Sequence, residues 1–184
     1  MNEFIITGIG GQGVITCSKL ILEAALERGY EVRSTETIGM AQRGGSVSSH
    51  VKIGKYIYSP VIPIGRANKI IAMEWIEGIR YQDYLTKGGI IEVVTDKNLR
   101  DCNLSIRKDI SVRSYELEGC WEKLGTKKNM NILMLGIAFS NEEYIISVKD
   151  IEKIIYRKYM GEIRNKNLEA LNMGRELAKI RKDF

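Results

Sequence analysis

The sequence predicts an α/β domain built on parallel strands and interrupted by one antiparallel hairpin. Two observations carry this. The chain opens with a β-type apolar run, Phe4-Ile5-Ile6-Thr7, which enters a glycine-rich loop and leaves it as an amphipathic helix. The same strand–helix alternation resumes later, after a stretch whose polar and apolar residues alternate with period two. At 184 residues with 44% apolar content, one domain spanning 1–184 is expected, large enough to bury a core.

The first unit reads strand, loop, helix, strand. Gly8, Gly10 and Gly13 match the G-x-G-x-x-G pattern, with Gly11, Gln12 and Val14 completing Gly8-Ile9-Gly10-Gly11-Gln12-Gly13-Val14. Such a loop brings backbone close to a ligand, and the following helix start offers free N–H groups to an anion. Cys17, Leu20, Ile21, Ala24 and Ala25 recur at helical spacing, and Gly29 marks the stop. Residues 30–35 form the second strand, expected parallel to the first across a right-handed crossover.

Next comes an aperiodic segment, 36–46. In residues 47–53 Val47, Val51 and Ile53 alternate with Ser48, His50 and Lys52, which predicts a half-buried strand with His50 toward solvent. Gly54-Lys55 is read as a turn into a partner strand at 56–59, ended by Pro60 and Pro63. A strand follows at 69–73 and a helix at 75–85. Lys87-Gly88-Gly89 is read as a turn, with strands at 90–94 and 109–115 beyond it. Helices are expected at 117–124 and 132–139. Ser147 and Asp150 have capping-box spacing ahead of another helix. The last helix runs 165–180, with Leu168, Leu171, Leu177 and Ile180 on its buried side.

Bulk properties narrow the function. No apolar stretch is long enough to span a bilayer and no signal peptide opens the chain, so a cytoplasmic protein without a membrane partner is expected. Cys17, Cys102 and Cys120 are widely and irregularly spaced without a C-x-x-C, which excludes a zinc ribbon or iron–sulfur cluster built by this chain alone. The net charge is +5, with basic residues crowded toward the C-terminus. Acids interleave with them and no aromatic platform accompanies them, so no nucleic-acid partner is expected.

Two loops remain as candidate chemistry. A dinucleotide reading of the first requires an acid at the end of the second strand, and Glu36 stands there. The helix that should follow is replaced by a loop and hairpin. Spacing alone therefore leaves three readings open: a nicotinamide or flavin dinucleotide, another phosphate-bearing ligand or partner surface, or a structural turn. The second loop, Glu36-Thr37-Ile38-Gly39-Met40-Ala41-Gln42-Arg43-Gly44-Gly45-Ser46-Val47, combines a thioether, an amide, a planar cation and two adjacent glycines. Arg43 has the donor fork that suits carboxylate or phosphate. His50 is the single histidine and no nucleophile elbow accompanies it.

Together these two loops resemble the gamma-type subunit or domain of 2-oxoacid:ferredoxin oxidoreductases, most of all the small subunit of the indolepyruvate enzymes. Ser59-Pro60, Lys128-Asn129-Met130-Asn131, Leu135-Gly136 and the stretch 167–174 extend the resemblance over nearly the whole chain. It implies a three-layer α/β/α, Rossmann-like domain with a mixed, mostly parallel sheet. It further implies a subunit of a complex that decarboxylates an aryl 2-oxoacid, passes the acyl group to coenzyme A and reduces ferredoxin. Thiamine diphosphate and iron–sulfur clusters would sit on the large partner subunit, with no cofactor held by this chain alone and no activity by itself. The resemblance carries over Gly8, Gly10, Gly11, Gln12, Gly13 and Val14 as cofactor-binding, with Met40, Gly44, Gly45 and Ser46. Gln42 and Arg43 would shape the active site, Arg43 clamping a substrate carboxylate or a coenzyme A phosphate. Two alternatives stand beside this: a free-standing NAD(P)- or FAD-binding oxidoreductase, and a non-catalytic nucleotide-binding module.

Overall fold

A computed structural model of the chain describes residues 1–40, 44–95, 105–117, 119–120, 128–140, 144–180 and 182–183. Along the chain run β1 (Asn2–Ile9), α1 (Val14–Glu27), β2 (Glu31–Ile38), β3 (Ser46–Gly54), β4 (Ala67–Ala72), α2 (Trp75–Arg80), β5 (Leu85–Val94) and β6 (Ser111–Tyr115). Then come α3 (Met130–Ala138), α4 (Val148–Lys158), α5 (Gly161–Leu177) and the two-residue β7 (Lys182–Asp183). The strands form one mixed sheet in the order β2-β3-β1-β4-β5-β6-β7. The central pairs β1–β4, β4–β5 and β5–β6 are parallel; antiparallel pairs close both edges.

Alternation along β1 divides the core into two. Phe4 and Ile6 join the larger cluster with α1, α3, α4 and α5, while Ile5 joins a smaller one with Trp75 and Ile79 of α2. The result is the expected three-layer α/β/α arrangement around a mixed sheet. On the thick side α1 and α4 are tied by Arg28–Asp150 at 3.3 Å and by the pairs Lys158–Glu23 and Arg157–Glu27. The capping box is present: Ser147 N–H and hydroxyl both donate to the Asp150 carboxylate at 2.8 Å. Lys69 of β4 is fully buried; it meets Glu92 at 3.0 Å and donates to the Ala138 carbonyl, capping α3 from the sheet, at 2.8 Å.

Several expectations are corrected. β2 keeps the predicted direction but does not pair with β1, because β3 inserts between them, antiparallel to both. The hairpin is therefore β2–β3, and its turn is the second glycine loop. Residues 56–59 are not a strand. The helix at 75–85 ends at Arg80, followed by a 3-10 turn at Gln82–Tyr84. Lys87-Gly88-Gly89 lies inside β5, at a register irregularity, and Gly88 N–H donates to the Asp109 carbonyl across the sheet. β3 is buried on both faces, so His50 is buried rather than solvent-side. In the last helix Leu171 is buried as expected, but Ile180 is exposed. Most of the helix expected at 117–124 lies outside the described residues.

Candidate functional site: two joined glycine loops

The first loop is held by its own side chains. Gly13 takes φ 85° at the head of α1, a left-handed conformation costly for other residues, and accepts from Cys17 N–H at 3.0 Å. A Cβ at Gly13 would lie 2.4 Å from the Asn131 carboxamide, so the start of α3 packs directly behind the loop. Cys17 Sγ donates to the Asn131 carbonyl at 3.1 Å, and burial pushes its thiol pKa up, leaving it an inert packing group. Asn129 of the same turn donates to Asn167 of α5 at 2.7 Å.

Gln12 closes the loop. Ile9 N–H donates to its Oε1 at 2.8 Å, and Gln12 N–H returns to the Ile9 carbonyl at 3.1 Å. Its Nε2 donates to Glu74, just ahead of α2, at 3.2 Å. A Cβ at Gly8 would come within 2.6 Å of that Oε1, which is why glycine precedes the turn.

The second loop is bonded to the first. Gly10 N–H donates to the Gly45 carbonyl at 2.9 Å. Gly39 N–H closes the hairpin on the Ser46 carbonyl at 2.8 Å. Ser46 Oγ donates to Glu77 at 2.6 Å, and Glu77, nearly buried on α2, also takes Arg80 at 2.6 Å. Glu74 and Glu77 thus brace the two loops from behind. Periodicity offers no signal for either, since both read as ordinary surface acids of a helix start.

The expected site residues divide clearly. Gly8, Gly10, Gln12, Gly13, Gly45 and Ser46 come together around the Gly10–Gly45 bond. Gly11 and Gly44 are exposed, with nothing within 4 Å of where a Cβ would stand, and Met40 is fully exposed beside them. The Val14 side chain points into the core. Gln42 and Arg43 lie outside the described residues. Glu36 is exposed on the edge strand β2, two strand spacings from β1, or about 10 Å. The acid that a dinucleotide unit needs beside β1 is therefore displaced by the inserted strand.

Fold and site define an open α/β domain whose strand ends carry two bonded glycine loops on one rim. The chain belongs to the pyruvate ferredoxin/flavodoxin oxidoreductase family, whose model matches residues 3–177. Among curated relatives, the indolepyruvate oxidoreductase subunit IorB of Archaeoglobus fulgidus is 34% identical over 190 residues, covering 94% of this chain and 92% of that one. The pyruvate oxidoreductase subunit PORC of Thermotoga maritima shares the fold with TM-score 0.80 at 22% identity, covering 99% and 97% of the two chains. The 2-oxoglutarate:ferredoxin oxidoreductase of Magnetococcus marinus, solved with 2-oxoglutarate, coenzyme A and succinyl-CoA, has TM-score 0.79 at 20% identity. It matches 97% of this chain but only 31% of its own.

Proposed function

We propose that the chain is the small subunit of an indolepyruvate-type 2-oxoacid:ferredoxin oxidoreductase. The complex turns an aryl 2-oxoacid and coenzyme A into the acyl-CoA and carbon dioxide, and ferredoxin takes the two electrons. The observation that carries this is the Gly10–Gly45 bond, which makes the two family loops one continuous wall. Among the described residues no group of three His, Cys, Asp or Glu is placed to hold a metal ion, and Cys17 and Cys120 are buried with no disulfide between them. These residues do not fit an iron–sulfur cluster. Clusters and thiamine diphosphate are assigned to a large partner subunit in the same cytoplasm, where the thiamine supplies the decarboxylation chemistry.

This chain's part is to shape and close the site. Exposed backbone at Gly11 and Gly44 admits a ligand closely, the α1 start faces it with free N–H groups, and the roles assigned from the family resemblance are active-site shaping for Gln42 and, for Arg43, a clamp on the acid or a coenzyme A phosphate. Reconstitution tests the reading. The lone chain is expected to reduce no ferredoxin with any 2-oxoacid. Mixed with the separately produced large subunit, it is expected to support reduction, faster with indolepyruvate than with pyruvate or 2-oxoglutarate. Arg43→Ala is expected to lower kcat/KM of the complex by about tenfold or more, the loss of one charge-assisted contact. An unchanged kcat/KM would remove the clamp role.

A further inference from the structure

The two faces of the sheet are unequally covered. Among the described residues four helices pack on one face; the other has the six-residue α2, a 3-10 turn and the segment 55–66. That segment is a strap pinned by side chains. Ile57 N–H donates to Glu31 at 3.1 Å, and Arg33 Nε donates to the Ile57 carbonyl at 2.7 Å. Lys52 Nζ donates to the Val61 carbonyl and Ile62 N–H donates to His50 Nδ1, both at 3.2 Å. Ile57 and Ile62 are buried anchors. Between and beyond them the strap exposes Tyr56 at 77%, Tyr58 at 98%, Val61 at 52% and Ile64 at 70%.

Single exposed apolar residues are ordinary on a protein surface; four on one short, fixed segment are not. Tyrosines held in place lose little entropy on binding and are frequent anchors of interfaces. The rim selects the occupant. Lys55, Arg33 and Arg66 are exposed around the strap and outnumber its acids, the partly exposed Glu31 and the exposed Asp83, whose carbonyl accepts from Gly65 N–H. A second copy docking on this face would bring like charges together.

We infer that the strap 55–66 is the docking surface for the large subunit, which meets it with an apolar face rimmed by acids and completes the thin layer of the sheet. The inference rests on the function proposed above. It is tested with the large subunit produced separately and titrated with the unchanged chain, with Tyr56→Ser/Tyr58→Ser, and with Lys55→Glu. Both tyrosines are exposed, so thermal midpoints of the variants should match the unchanged chain and serve as the folding control. The double variant is expected to bind at least about tenfold more weakly, as hot-spot truncation does, and Lys55→Glu to associate more slowly. Equal binding by the double variant would overturn the strap and leave the functional reading standing. No binding by the unchanged chain would overturn that reading and the strap with it. Self-association through the tyrosines, seen by sedimentation of the chain alone, would overturn the choice of occupant.

Discussion

Both ends of the Gln12 carboxamide are engaged, one on Ile9 N–H and the other on Glu74. Gln12→Ala leaves a partly buried N–H without its acceptor and should cost about 1–2 kcal/mol, read as a lower thermal midpoint. Gln12→Glu keeps the acceptor but sets a second carboxylate beside Glu74, so its stability should improve as acid protonates one of the pair. His50 has the opposite sign. Burial, and then the Lys52 charge, push its imidazole below the ordinary value of 6.5. It accepts from Ile62 N–H and packs edge-on against Tyr84 at 5.3 Å, so the folded chain holds it neutral. The unfolded chain binds the extra proton below 6.5; stability is therefore full above that pH and falls as pH drops through the lower folded value. As the chain's single histidine, its NMR titration should show one midpoint below 6.5. Acid should lower the thermal midpoint less in His50→Gln.

At the scale of elements, α3 and α5 touch backbone to backbone. A Cβ at Gly136 would lie 2.2 Å from the Leu171 carbonyl oxygen, and one at Gly174 2.1 Å from that of Leu133. Carbonyls within helices cannot move aside singly, so Gly136→Ala or Gly174→Ala must push the helices apart. Each should cost about 3 kcal/mol or more, a fall of roughly 6–12 °C in thermal midpoint. Leu135-Gly136 and the stretch ending at Gly174 are legible in the sequence as motifs, yet nothing in either says that the two glycines face each other. Periodicity finds α1 and α4 because each has one apolar face against the core, whereas α3 is legible as a continuous apolar run because it is buried all round. It misplaces the hairpin because alternation in β3 is real but both faces are covered: Ser48 by Tyr81, His50 by Ile62 and Tyr84, Lys52 by Glu3 and Val61. Polar residues that look solvated are paired under a strap that no local pattern announces. The β2–β3 hairpin is local but is missed for a different reason: Gly54-Lys55 is as good a turn signal as the loop that actually turns.

At the scale of the molecule, the candidate site is a rim where two segments distant in sequence meet, and the sequence shows both segments but not the bond between them. The loops are readable because glycines rarely cluster as they do at 8–13 and 39–45. Their braces are not, because Glu74, Glu77 and Asn131 act only through the fold. The inserted β3 also decides against a free-standing dinucleotide enzyme: calorimetry with NADH, NADPH or FAD should show no tight binding to the chain alone. The hairpin has one more consequence. Its strands are locked in register from Glu31↔Gly54 to Ile38↔Val47, and the entry to β3 is tied to the rest of the domain by Gly45 on Gly10 and Ser46 on Glu77. The segment between the two strands is therefore expected to accept exchange as a cassette, read as an unchanged thermal midpoint. Lengthening such a turn costs only about 0.6 kcal/mol per doubling. Under the function proposed above, rewriting that one turn is expected to retune the scaffold toward a different acid, leaving the sheet that carries it as it is.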